Sequence, residues 1–182
     1  MSNSSIGNQF EELIKIVQRL RGPDGCPWDK EQTAESLISY MLEEAYEVIE
    51  AIDEKDWDGL KEELGDLMLH IVFQASIAQD TKLFDISESL KNINDKLIRR
   101  HPHVFDRKKL VKDKIKPSWE LQKHKEKKRN SRLDGVPKSL PGLIQAQRIQ
   151  EKASYVGFDF EKEEDIWDKL FEEITELKNA QK

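Results

Sequence analysis

The sequence has few of the features that define several common protein classes. It contains one cysteine, Cys26, so no intramolecular disulfide can form and nothing points to an oxidising compartment. No apolar run is long enough to cross a bilayer, and the polar segment 1–9 lacks the apolar core of a signal peptide. We therefore expect a cytoplasmic protein that has no membrane partner.

Positive charge is also scarce relative to negative charge. Lysine and arginine total 30 against 36 aspartates and glutamates, which gives a formal net charge of -6. Proteins that bind DNA or RNA need a cationic face to displace counterions, so we expect no nucleic-acid partner. A small anionic ligand remains possible if cations mediate its binding. Hydrophobic residues make up 37% and charged residues 36%, a lean core under a charged surface that favours an all-α protein.

Apolar residues recur every three or four positions in several segments, which predicts helices over residues 8–20, 33–53, 56–79 and 87–100 and, more weakly, 118–128. The glycine- and proline-rich segment 22–27 ends the first helix. Asp56 is a suitable N-cap for the third helix, and only a short turn separates it from the second. These two helices should therefore be antiparallel neighbours.

The third predicted helix carries apolar residues on two sides. Leu64, Met68 and Ile71 belong to its main stripe, whereas Leu69 and Phe73 lie on the side away from that stripe. A lone helical hairpin would leave Leu69 and Phe73 uncovered. We therefore expect a homodimer that covers them.

The last part of the chain repeats the first. Residues 166–176 align with residues 37–47 without a gap, and two prolines and a glycine in the preceding segment predict a linker. The predicted organisation is a first domain at 1–132, a linker at 133–141 and an incomplete second repeat at 142–182.

Four carboxylates are predicted to meet between the second and third helices. Helical residues three apart project to the same side, which applies to Glu44 with Glu47 and to Glu63 with Asp66. If the turn is centred near residues 54–55, position 44 lies level with 66 and position 47 with 63. Like charges this close must take up protons, splay into solvent or hold cations. Oxygen ligands alone select hard ions, so we expect Mg²⁺, with Mn²⁺ as a possible substitute.

Other interpretations of these residues stay open at this point. Acidic side chains can simply form solvated helix faces in a chain so rich in them. A di-iron bundle would show Glu-x-x-His pairs, which both acidic motifs lack. His70 follows Asp66 by one turn, and it can belong to the site or pack at the edge of the core. Trp28 can stack on a base or wedge its loop onto the core.

Specific motifs then suggest a family. The pattern Glu43-Glu44-x-x-Glu47, followed by Glu63-x-x-Asp66, resembles the MazG family of nucleoside triphosphate pyrophosphohydrolases. The segments Leu-Arg-Gly-Pro-Asp-Gly-Cys-Pro-Trp-Asp at 20–29 and Arg-Arg-His-Pro-His-Val-Phe at 99–105 are also similar to the family. The resemblance covers nearly the whole chain.

The resemblance implies an all-α antiparallel helix bundle of the MazG type, completed by homodimerisation. It also implies hydrolysis of nucleoside triphosphates to monophosphate and diphosphate with Mg²⁺. The implied metal ligands are Glu44, Glu47, Glu63 and Asp66, and Glu43 completes the catalytic motif. The implied substrate contacts are Lys61, Glu62, Lys96, Arg99, Arg100 and Trp119. Arg99 and Arg100 can alternatively offset the dipole of the helix that they end.

The leading hypothesis is a pyrophosphohydrolase that clears or regulates nucleotides. The alternative is a catalytically weak helical module that binds nucleotide or mediates dimerisation. The second repeat has Glu172, Glu173 and Glu176 but no following Glu-x-x-Asp, so it cannot complete a site from its own residues.

Overall fold

The computed structural model describes residues 5–105, 126, 131, 133–160 and 162–181, and within these ranges it contains helices and no strands. The all-α prediction is therefore confirmed. The helices are α1 (Ile6–Arg21), α2 (Pro27–Glu31), α3 (Ile38–Glu54), α4 (Trp57–Asp80), α5 (Ile86–Arg100), α6 (Pro102–Phe105), α7 (Gly142–Ser154) and α8 (Glu163–Ala180). The chain divides into two compact units, Met1–Arg99 and Arg100–Lys182. The assignment of a linker and a second repeat stays a prediction.

The predicted start of α3 is wrong by five residues. The helix begins at Ile38, because the preceding segment satisfies its backbone in another way. The Thr33 N–H donates to Ser36 Oγ at 3.0 Å, and the Ser36 N–H donates to Thr33 Oγ1 at 3.2 Å. Such local side-chain acceptors compete with helix formation. The short helices α2 and α6 were not predicted, and the weak helix at 118–128 lies outside the described residues except for Glu126.

A tight turn joins α3 to α4 and makes them antiparallel. Lys55 adopts the left-handed conformation at φ 59°, and the Asp56 N–H donates to the Ala51 carbonyl at 2.9 Å. Asp56 then caps α4, since its Oδ1 accepts from the N–H groups of Asp58 and Gly59 at 3.2 and 3.1 Å. The predicted N-cap is confirmed, and α3 packs along α4.

The core of the first unit lies where α1 packs on α4. Its buried members are Val17, Leu37, Val72 and Phe73, and its partly buried members are Phe10, Leu13, Ile14, Leu69 and Ile77. The expectation that Leu69 and Phe73 are uncovered is therefore wrong. Of the predicted main stripe, Leu64, Met68 and Ile71 are 48%, 43% and 47% exposed, whereas Ala75, also predicted there, is buried. Both sides of α4 are apolar, and periodicity does not say which one α1 covers.

Arg21 holds the segment between α1 and α3 against α4. Its guanidinium donates to the Asp29 carbonyl at 2.8 Å and to Asp80 Oδ2 at 2.6 Å, and it lies 5.2 Å from the centre of the Phe73 ring. Gly25 allows the close turn, because a Cβ there would lie 2.0 Å from the Leu20 carbonyl oxygen. These contacts hold the segment after α1 against α4.

The second unit contains α6, α7 and α8. Helix α8 is exposed along its described length, including the apolar residues Trp167, Phe171 and Leu177. No described helix combines the length and apolarity that a membrane span requires.

Candidate metal centre

Three carboxylates from two helices converge on one small volume. Glu44 lies on α3 and Glu63 and Asp66 lie on α4, and one oxygen of each is within 4.8 Å of the other two. All three side chains are half-buried. The hairpin therefore brings together residues that are separated by about twenty positions in the chain, as the sequence predicts.

Glu47 lies at the edge of this group. Its charge contributes to the raised pKa of Glu44, but its carboxylate does not belong to the set whose oxygens all lie within 4.8 Å of one another. The strongest charge effect on Glu44 comes from Asp66, and the strongest on Glu63 comes from Glu47. This pairing agrees with the predicted register, in which 44 lies level with 66 and 47 with 63.

The cluster makes ionisation of two of its members unfavourable. Burial raises the pKa of Glu44, and the negative charges of Asp66 and Glu47 raise it further. Burial likewise raises the pKa of Glu63, with additional contributions from Glu47 and Glu44. Both shifts arise because negative charge is concentrated where water is partly excluded. A bound cation would remove this penalty.

The residues fit a hard divalent cation. All the converging donors are carboxylate oxygens, and the described residues place no cysteine or histidine nitrogen within the convergent set. Such donor sets suit Mg²⁺ or Mn²⁺ better than zinc.

The neighbouring predicted residues do not belong to the cluster. Glu43 and Glu62 are exposed, and neither is part of the convergent set. Lys61 is exposed as well, and its Nζ donates to Asp58 Oδ1 at 2.8 Å. Their catalytic and substrate-binding roles stay predictions.

The predicted basic contacts on α5 have different surroundings. Lys96 is half-buried and Arg99 is exposed. Arg100 is buried, and its guanidinium donates to Glu126 Oε2 from Nε at 3.0 Å and from Nη2 at 2.5 Å. Trp119 lies outside the described residues. Substrate binding by these four residues stays a prediction.

Two aromatic residues lie near the start of α3. Trp28 and Tyr40 form an edge-to-face pair with ring centres 6.0 Å apart. Trp28 is 51% exposed, so it does not wedge its loop into the core. Tyr40 precedes Glu44 by one helical turn and was not singled out from the sequence. Its i, i+4 spacing from Glu44 is the signal that would have identified it.

Comparison with known proteins identifies relatives along most of the chain. Residues 32–105 match the model of the MazG nucleotide pyrophosphohydrolase domain. The chain is 49% identical to the nucleoside triphosphate pyrophosphohydrolase/pyrophosphatase MazG of Thermotoga maritima, over 96% of this chain and 68% of that protein. It is 46% identical to the nucleoside triphosphate pyrophosphohydrolase of Escherichia coli K12, over 93% of this chain and 66% of that protein.

A solved structure is similar too. The crystal structure of a MazG-related protein from Thermotoga maritima has a TM-score of 0.53 and 30% identity, and it covers 62% of this chain and 97% of that one. The chain spans about two thirds of the length of the two curated relatives.

Proposed function

Because the chain belongs to the MazG family of nucleotide pyrophosphohydrolases, which hydrolyse acid anhydrides, we propose that it converts a nucleoside triphosphate and water to the monophosphate and diphosphate. We propose Mg²⁺ as the metal, with Glu44, Glu63 and Asp66 as its ligands. The observation that carries the proposal is the convergence of these three carboxylates from two helices, within 4.8 Å of one another.

The chemistry follows from charge. A triphosphate is strongly anionic, so a site made of carboxylates repels it unless a cation lies between them. When bound, Mg²⁺ supplies that charge, orients phosphate oxygens and stabilises the departing diphosphate. Glu44, Glu63 and Asp66 would hold the cation at a fixed place on the hairpin.

Glu47 is proposed to accept a proton from the attacking water. Glu47 is one helical turn from Glu44 and its charge raises the pKa of Glu44, so its carboxylate lies close enough to accept a proton from a water beside the convergent set. The resemblance to the family implies instead that Glu47 is a fourth metal ligand, and both roles require its carboxylate beside the other three. On α5, Lys96 and Arg99 would add positive charge for the polyphosphate.

We propose that the exposed aromatic pair of Trp28 and Tyr40 contacts the base of the nucleotide. Aromatic side chains can stack on any nucleobase, because every base has a flat π-face. Tyr40 is one turn from Glu44, so a triphosphate bound at the carboxylates would have its base near this pair.

We also propose that the protein is a homodimer. The exposed apolar side chains on α3 and α4 include Met41, Ile49, Ile52, Leu64, Met68 and Ile71. Monomers rarely leave a large continuous apolar patch in water, and a second copy can cover this one. Sedimentation or light scattering that gives a monomeric mass at working concentrations would contradict this.

The test of the activity is diphosphate release from each common NTP and dNTP, with Mg²⁺ and with chelator. Metal-dependent formation of diphosphate and monophosphate, lost in Glu47→Gln, is the expected result. If the folded chain releases no diphosphate from any triphosphate but still binds nucleotide, the proposal fails in favour of a catalytically weak nucleotide-binding module.

A further inference from the structure

His70 is a mostly buried histidine that lies next to the carboxylate cluster. It lies on α4, one turn after Asp66, and its Nε2 is 3.7 Å from Glu44 Oε1. Its side chain is 12% exposed and that of Glu44 is 21% exposed. Among the described residues, it is the basic side chain in ion-pair range of a member of the cluster.

The other ring nitrogen indicates which way the imidazole donates. Nδ1 is buried and has no hydrogen-bond partner among the described residues. A buried N–H without an acceptor is less favourable than an unused lone pair. The tautomer that carries its hydrogen on Nε2, directed towards Glu44, therefore fits these surroundings better.

We propose that His70 is a positioning residue that donates its Nε2–H to Glu44 Oε1 and leaves Oε2 to the cation. This inference rests on the metal site proposed above. The contact must shorten by roughly 0.8 Å to reach an ordinary N–H···O distance.

The proposed bond would separate two roles of the Glu44 carboxylate. A fixed donor on Oε1 would restrict the rotation of the carboxylate and keep its other oxygen available to a cation shared with Glu63 and Asp66. Metal-ligating carboxylates commonly have such outer partners, and their loss weakens metal binding about 10–100-fold.

Two substitutions separate donation from packing. His70→Phe keeps a flat ring but has no donor, whereas His70→Gln places an amide N–H near the position of Nε2. If the Phe variant does not fold, His70→Leu replaces it. Leu69→Ala is the matched control, because Leu69 is the neighbouring residue and packs against the core of α1 and α4.

The measurement is Mn²⁺ binding to the full chain, followed by the electron paramagnetic resonance signal of the free ion, with Mg²⁺ as competitor. We expect His70→Phe to weaken Mn²⁺ binding about 10–100-fold and His70→Gln to stay within a few-fold of the original protein. Leu69→Ala should unfold at a lower temperature and keep its Mn²⁺ affinity. In turnover assays, His70→Phe should raise the Mg²⁺ concentration needed for half-activity more than it lowers kcat at saturating Mg²⁺.

Unchanged Mn²⁺ affinity in the Phe or Leu variant would overturn the inference, and so would equal losses in the Phe and Gln variants. In both cases the original protein still binds Mn²⁺, so the proposed metal site stands. If the original protein itself binds no Mn²⁺, the metal site fails and this inference fails with it.

Discussion

Helices α3 and α8 carry glutamates at the same spacing, in surroundings that differ. On α3, Glu44 faces Glu63 and Asp66 of α4, and the pKa of Glu44 is raised. On α8, the residues aligned with Glu43 and Glu44 are Glu172 and Glu173, and both are exposed.

The partners of the α8 glutamates are on their own helix. Lys169 Nζ lies 2.7 Å from Glu172 and 3.4 Å from Glu173. The hydrogen bond to Glu172 is the main cause of a raised pKa at Lys169. The comparison shows that this spacing supplies half of a carboxylate cluster. A facing helix must supply the other half, and the described residues contain one convergent acidic cluster.

The largest difference between the two helices should be in catalysis. Glu44→Gln removes a proposed metal ligand, and we expect it to lower diphosphate release by more than about 100-fold, beyond the usual loss for an outer-sphere partner. Glu173→Gln is the matched control at the aligned position on α8. It should leave diphosphate release and Mn²⁺ affinity unchanged. Similar losses in both variants would mean that α8 contributes to the active site.

The next largest difference should be in stability. Leu37 is 1% exposed and its aligned residue Ile166 is 50% exposed. Leu37→Ala should lower the free energy of unfolding by about 2–5 kcal/mol, because it leaves a cavity in the core. Ile166→Ala should change it by no more than about 0.5 kcal/mol. Urea unfolding followed by circular dichroism measures both, and a large cost at Ile166 would show that α8 is covered in solution.

A smaller effect should follow from the raised pKa of Glu44. Because the folded state binds this proton more tightly than the unfolded chain, stability without metal falls as pH rises from about 4.5 through the folded pKa. At neutral pH, metal-free Glu44→Gln should therefore unfold at a higher temperature than the original protein.

Adding Mg²⁺ should reverse that order. The original protein gains about 2.7 kcal/mol at a Mg²⁺ concentration of 100 times its Kd, whereas the variant gains less. Differential scanning calorimetry with chelator and with Mg²⁺ tests both statements. An unchanged melting temperature in the metal-free variant would contradict the proposed charge repulsion.

The smallest effect should be at Lys169. The pKa of Lys169 is raised in the folded protein, so its ion pair with Glu172 stabilises the fold below about pH 10.5 and is lost as pH rises through the folded pKa. Lys169→Gln should lower the melting temperature slightly at neutral pH and leave diphosphate release intact, since exposed pairs contribute little. A loss of activity would indicate a role of α8 that its exposure does not explain.

The site was partly predictable because a helical hairpin has a simple geometry. The spacing of Glu44 and Glu47, and of Glu63 and Asp66, combined with the position of the turn, was enough to place the two pairs at matching levels. Spacing alone could not predict which of the four carboxylates come closest together. Three carboxylates converge while Glu47 lies at the edge, because side-chain directions depend on packing between α3 and α4.

The exposed and buried sides of α4 show the limit of periodicity most clearly. The spacing of Leu64, Met68 and Ile71 predicts that their side of α4 is buried in the core. In the structure, α1 instead packs over Leu69 and Phe73. The start of α3 also differs from the periodicity, because Thr33 and Ser36 accept hydrogen bonds from each other's backbone N–H groups.

The sequence by itself determined the all-α class, the antiparallel hairpin, the Asp56 cap and the resemblance to the MazG family. These properties depend on residues close together in the chain, where spacing and capping chemistry are sufficient. Only the tertiary structure decided which side of α4 is buried, that Arg100 pairs with Glu126 and that His70 approaches Glu44. Those contacts join residues distant in sequence, and they depend on how whole helices pack.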